Sequence, residues 1–173
     1  ENVANRIVQN RLDLIVSKAD TPFTSASISS GIFLRQMKYA SIDSDSSPEN
    51  WEKSLSLIEQ TLRKAIKYGF TKSELERVKK DFLSDLDNAV KKASTRDSQH
   101  LARMIIRKLN ANRVLMSPEQ RKVLFTPFIN SLTLKNVHDA FKAIWAPEHR
   151  LVLVTGNKNL SNMDTDPEHQ ILA

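Results

Sequence analysis

The sequence predicts an α+β fold, a two-layer domain of helices packed on a mostly antiparallel sheet. Three observations predict it. Two neighbouring runs alternate with a period of two. Several segments repeat apolar residues every three or four positions behind recognisable caps. One short apolar run stands near the end of the chain. The order is helix, two strands, several helices, one strand. It lacks the regular βαβ alternation that marks a parallel sheet, and no internal repeat or low-complexity segment is present.

Residues 2–17 (NVANRIVQNRLDLIVS) place Val3, Ile7, Leu14 and Ile15 near one helical stripe. Pro22 ends this segment, because proline disfavours helix at the residue before it. Residues 23–33 (FTSASISSGIF) are rich in serine and β-branched residues. Phe23, Ser25 and Ser27 alternate with Thr24, Ala26 and Ile28, which predicts a strand with small side chains against which something packs closely. Residues 35–43 (RQMKYASID) alternate again, Met37, Tyr39 and Ser41 against Lys38, Ala40 and Ile42, so the two runs form an antiparallel pair turning around residues 31–35.

Ser47-Pro48 starts a helix, with serine as N-cap and proline in the first turn. Trp51, Leu55, Ile58, Leu62 and Ile66 make its apolar stripe, and Gly69 ends it as a left-handed residue. Thr71 to Glu74 reads as a capping box, followed by a buried stripe of Leu75, Val78, Phe82, Leu86 and Val90. After a break at residues 94–97 the helical pattern resumes through Leu101, Ile105 and Leu109. Ser117 to Gln120 repeats the cap signal for a shorter helix interrupted by Pro127. Thr133 caps a last helix with Val137, Phe141 and Ile144 on one face, stopped by Pro147. Residues 150–155 (RLVLVT), between Pro147 and Gly156, predict a buried central strand. Residues 1–157 are read as the domain and the polar residues 158–173 as a linker or tail.

Composition excludes several function classes. Apolar residues make up 40% of the chain, enough for a core, so wholesale disorder is excluded. With three glycines there is no Gly-rich phosphate loop. With no cysteine there is no disulfide, thiolate metal site or thiol nucleophile. The net charge of +6 comes from basic residues interleaved with acidic ones, as in ELERVKKDFLSDLD, which marks a solvated helix face. A basic nucleic-acid surface would use Lys79, Lys80, Lys91, Lys92, Arg103 and Arg107, but no binding motif accompanies them, so no nucleic-acid partner is expected. No stretch approaches the roughly 20 apolar residues that cross a bilayer. The chain opens at Glu1 without methionine or a signal-type segment, so it is expected to be a piece of a longer protein whose targeting signal lies outside it.

Catalytic patterns are absent as well. His100, His138, His149 and His169 stand in neither H-E-x-x-H nor H-x-x-E-H spacing, so no metal site is expected among them. Asp97 and His100 could pair as orienting carboxylate and base, but a surface pair on one helix face is the simpler reading. His138 is expected to face solvent, and Glu148-His149 to lie in a surface loop. Ser25, Ser27, Ser29 and Ser30 alternate along a strand without a G-x-S-x-G elbow. Asp43 and Asp45 read as turn chemistry at a strand end, and Trp51 and Trp145 as core anchors.

Several blocks nevertheless follow one another in a familiar order. Asn10-Arg11-Leu12 leads to PFTSAS at 22–27, SIDSDSSPENWEKSL at 41–55, GFTKSELERVKKDF at 69–82 and SLTLKNVHDAFKAIWAPEHRLVLVTGN at 131–157. In this order and spacing they resemble the second domain of the N-terminal half of pitrilysin/insulinase-type zinc peptidases, most closely the bacterial predicted zinc proteases. The resemblance spans residues 2–157. It implies a clam-shaped parent of four related α+β domains, with zinc and a catalytic glutamate on an H-x-x-E-H helix in the preceding domain. It further implies a bacterial periplasmic or envelope location, and peptide substrates bound partly by adding a strand to a sheet edge.

One departure matters. The family's other half carries an Arg and a Tyr in a segment like R-E-x-x-G-x-x-Y, and the matching stretch 12–23 here has no Arg and ends in Phe23. No substrate role is carried over, which favours the zinc-bearing half or an inactive paralogue as context. The expectation is therefore a non-catalytic, chamber-lining domain with no catalytic, metal or cofactor residues of its own, inactive alone, whose partners are the other domains of the parent and its peptide substrate. Zinc would belong to the parent. The competing expectation is a non-catalytic partner subunit or interaction domain of the same fold.

Overall fold

In a computed structural model the described residues are 1–34, 36–146, 149–157 and 171. Helix α1 (Asn2–Val16) leads into a hairpin of β1 (Phe23–Phe33) and β2 (Met37–Ser46). A 3-10 turn (Pro48–Asn50) runs into α2 (Trp51–Tyr68), followed by α3 (Lys72–Lys91), a second 3-10 turn (Ala93–Thr95), α4 (Ser98–Asn110), α5 (Pro118–Ser131) and α6 (Leu134–Trp145). The architecture is α+β, helices packed on a two-stranded antiparallel sheet.

The buried stripe of α1 is Ala4, Ile7, Val8 and Leu12. Leu14, expected on this stripe, is 61% exposed. Core contacts pass from Val3 and Ile7 at the start to Leu12, Ile15 and Val16 at the end, so the contacting face drifts round the helix and Leu14 falls off it. In β1, Phe23 lies in the core with Ala26 and Ile28, whereas strict alternation would put it with Ser25. A bulge is the cause. Phe23 pairs with Ser46 and Ser25 with Asp45, so Thr24 is an extra residue that resets the parity. The reversal is also tighter than expected. Phe33 pairs with Met37, the Gln36 N–H donates to the Phe33 carbonyl at 3.1 Å, and Leu34 adopts a positive φ of 48°. Gly31 stays in the strand opposite Tyr39, whose ring would stand 3.1 Å from any added Cβ.

Helix α2 buries Ile58, Leu62 and Ala65 together with Ser54 and Thr61. These two hydroxyls enter the core because the backbone satisfies them. The one Ser54 hydroxyl proton is shared between the Asn50 and Pro22 carbonyls, 2.9 and 3.1 Å from Oγ, and Thr61 donates to the Leu57 carbonyl at 2.7 Å. Gly69 closes α2 with φ of 71°, and the capping box of Thr71 and Glu74 opens α3. The capping box matches the sequence reading; Gly69 has the positive φ expected of it, but its ψ of −141° lies outside the left-handed helical region.

Arg11 ties these pieces together. Its Nε and Nη2 donate to the two Glu74 carboxylate oxygens at 2.6 and 2.9 Å, and Nη2 also donates to the Gly69 carbonyl at 2.9 Å. Its guanidinium lies 5.4 Å from the centre of the Phe70 ring. This hydrogen-bonded cation holds the Glu74 carboxyl at about 2, well below its ordinary 4.5, against a smaller opposing effect of burial.

Phe141 of α6 is fully buried, with Phe70 edge-on at 5.5 Å and Trp145 at 6.2 Å. Trp51, expected as a core anchor, is half-buried outside the central cluster, which Trp145 does join. Helix α5 runs through Pro127 rather than breaking there. The ring removes a donor to the Val123 carbonyl, and Val123 is 76% exposed, so water can take that place. Residues 151–155 form no strand, and Leu151 and Leu153 are 89% and 75% exposed. An apolar run becomes a strand only when another backbone pairs with it, and among the described residues none does. Pro147 and the tail beginning at residue 158, apart from Ile171, lie outside the described residues.

Two predictions follow from this packing. Gly69→Ala should destabilise the fold by about 1–3 kcal/mol in urea unfolding, because φ is positive there and the new methyl would stand 3.0 Å from the His138 ring. Glu74 contributes its stabilisation fully above its ordinary pKa of 4.5 and loses it as pH falls toward about 2. The urea midpoint should drop across that window by the equivalent of about 2 kcal/mol, and Glu74→Gln should flatten that part of the profile while lowering stability at neutral pH.

Candidate functional site

The two faces of the hairpin differ in chemistry. Phe23, Ala26, Ile28 and Ile42 turn to the helices. The opposite face carries Ser25, Ser27, Ser29, Ser41, Asp43 and Asp45, placed there by the register. Ser25 donates to Asp45 Oδ2 at 2.6 Å, and the Ser29 and Ser41 hydroxyls bond to each other at 2.9 Å. Ser30 lies on the helix side, where its Oγ accepts from Asn5 Nδ2 at 2.9 Å. Asp43 and Asp45 sit inside β2, which runs to Ser46, so they are strand residues rather than turn residues. Among the described residues no imidazole is bonded to any of these serines, and what the face offers is hydroxyl and carboxylate hydrogen bonding.

The two edges differ as strongly. On β1, the Gln9 amide takes the place of a neighbouring strand. Its Nε2 donates to the Ala26 carbonyl at 2.9 Å, and the Ile28 N–H donates to its Oε1 at 3.1 Å. On β2, among the described residues, no strand pairs with the outer edge. That edge presents alternate backbone donors and acceptors to any extended chain alongside it.

The remaining candidates have structural roles. Asp97 is the N-cap of α4, and its carboxylate accepts from the His100 backbone N–H at 2.7 Å, so it does not orient the imidazole. His138 is half-buried, not solvent-facing. Its Nε2 bonds the Ile66 carbonyl at 2.8 Å and its ring meets Phe70 edge-on at 6.0 Å. The absent Cβ of Gly69 makes room for it, a link between positions 69 residues apart that local spacing does not reveal. His149 is exposed, and His169 lies outside the described residues. Among the described residues no three His, Asp or Glu side chains gather as metal ligands.

Lys79 donates to Glu76 and to the Asn130 carbonyl, both at 3.3 Å, and only 12% of its side chain is exposed. Lys80 and Lys91 lie on α3, Lys92 caps it, and Arg103 and Arg107 belong to α4. In the stretch 12–23, Leu12 and Phe23 are core residues. Two shallow surface hollows occur, one by Pro22, Glu52 and Leu57, the other by Arg63, Ile66 and Arg150. No described helix is long and apolar enough to cross a membrane.

No protein-family model and no curated protein matches the chain. Solved structures do share its fold. The first half of the periplasmic protease PqqL from Escherichia coli superimposes with a TM-score of 0.74 at 19% identity, over 84% of this chain and 31% of that one. A predicted insulinase family protease from Yersinia pestis gives 0.70 at 16% identity over the same shares. A second PqqL structure gives 0.70 at 18% identity over 96% of this chain and 22% of that one. The chain thus spans less than a third of the length of the structures whose fold it shares.

Gln9→Ala should remove the amide from the β1 edge and leave the Ala26 carbonyl and Ile28 N–H without their partner. A loss of about 1–2 kcal/mol is expected, with faster amide exchange at Ile28 than in α3.

Proposed function

We propose that residues 1–157 are a non-catalytic domain of a pitrilysin/insulinase-type zinc metallopeptidase, lining its substrate chamber and supporting the zinc-bearing domain that precedes it. The observation that carries this reading is the fold shared with a periplasmic protease and a predicted insulinase family protease over 84% of the chain, although the chain covers only 31% of theirs. The ordered sequence blocks from residue 10 to residue 157 support the same family. The periplasmic setting named for PqqL favours a periplasmic or envelope location here.

Among the described residues the donor set of this domain supports leaving a catalytic zinc to another domain. The described histidines are dispersed, His138 is tied to a carbonyl, and no carboxylate joins them. No step of the peptidase reaction is therefore assigned to its side chains. What the domain offers is backbone recognition. The open edge of β2 can pair with an extended peptide, and the Ser and Asp face beside it supplies hydroxyls and carboxylates to polar side chains.

The test is to read the coding sequence upstream of Glu1 and assay the encoded protein. An H-x-x-E-H motif with a downstream glutamate, and chelator-sensitive cleavage of an unfolded peptide by the full protein but not by this chain, is the expected result. A longer protein without that motif would leave a non-catalytic partner subunit of the same fold. Chelator-sensitive cleavage by this chain alone would overturn the reading.

A further inference from the structure

Helix α4 is well formed yet barely used by the fold. Asp97 caps it, but none of its residues is buried. Leu101, Met104, Ile105, Ile106 and Leu109 share one broad face, while Gln99, His100, Arg103 and Arg107 share the other. Ile106 and Leu109 are 56% and 69% exposed, and the apolar character continues into the following loop, where Val114 is 77% exposed. Residues 98–118 contain Arg103, Arg107, Lys108 and Arg113 and no acidic residue. None of these four bases forms an ion pair among the described residues. A capped helix with Ile106 and Leu109 largely exposed, Leu101, Met104 and Ile105 only half-buried, and its bases unpaired among the described residues presents a surface suited to a partner.

Charge decides what covers it. A second copy would bring a net charge of +6 against a basic helix. A lipid surface suits basic residues, but interfacial helices use aromatic anchors, and none occurs between Phe82 and Phe125. We propose that the apolar face of α4 and the loop after it seat in an apolar groove rimmed by carboxylates on another protein domain of the longer chain. This rests on the multidomain reading above and adds to it the docking surface and the chemistry of its partner.

The test is hydrogen exchange of the amides in residues 98–110, in this chain and in the full-length protein. Exchange at least about tenfold slower in the full-length protein is expected. The double variant Arg103→Glu with Arg107→Glu should cancel that protection while leaving the α3 amides unchanged, which separates lost docking from lost folding. Equal exchange in the two proteins would overturn the proposal. So would protection of this chain by vesicles of phosphatidylcholine and phosphatidylglycerol, which assigns the face to lipid, or protection that rises with its concentration, which assigns it to a second copy. A full-length protein with the H-x-x-E-H domain but an unprotected α4 sinks this inference alone. One with no further domain sinks the functional reading with it.

Discussion

The rest of the fold depends on the Arg11 clamp. One guanidinium on α1 reaches across 58 residues to the Gly69 carbonyl at the end of α2 and across 63 to Glu74 in the first turn of α3. Glu74 also accepts from the Thr71 N–H at 2.7 Å, so one carboxylate completes the capping box and receives the clamp. The geometry is bidentate, which fixes direction as well as distance. It sets the angle at which the chain leaves α2 and enters α3. It also lays Arg11 over Phe70, whose ring then meets Phe141 of α6. Capping, turn geometry and core packing are coupled through a single side chain.

A two-stranded sheet has marginal stability unless something covers it. Here α1 packs on β1 and α2 and α6 on β2, covering one face, and Gln9 completes the β1 edge with the donor and acceptor that a third strand would have supplied. This arrangement protects one edge and leaves the other free. It closes β1 against unwanted pairing, while β2 retains its unpaired backbone. The asymmetry comes from sequence, since Asn5 and Gln9 stand four apart beside the apolar stripe of α1 and both reach β1.

What was legible in the sequence follows from the range of each interaction. Caps and helix ends are local, so Thr71, Ser117, Thr133 and Gly69 announce themselves and the structure places them as read. Stripes are legible where a helix lies along the core and blur where it crosses obliquely, as at Leu14. Hydrophobicity does not find Ser54 and Thr61, because their burial depends on carbonyl partners rather than apolar area. The parity of Phe23 depends on a bulge, and the burial of His138 on a glycine far away in sequence. Neither has a periodic signature. Residues 151–155 show the converse limit, since composition marks an apolar run but only a partner backbone makes it a strand.

The candidate surface was legible in outline. Alternation placed Ser25, Ser27 and Ser29 together, and register then added Ser41, Asp43 and Asp45 from the partner strand. Among the described residues no third group of His, Asp or Glu gathers beside them as a metal site would need. Several polar groups at half-buried or buried positions, Arg11, Glu74, Gln9, Ser54 and His138 among them, are engaged in holding elements together. A polar group fixed in two or three good hydrogen bonds cannot also change partners along a reaction coordinate at low cost. The groups exposed among the described residues include backbone on the β2 edge, hydroxyls and carboxylates bonded to one another on the open sheet face, and the basic residues of α4. Backbone edges, hydroxyls and unpaired bases are groups suited to recognising another chain.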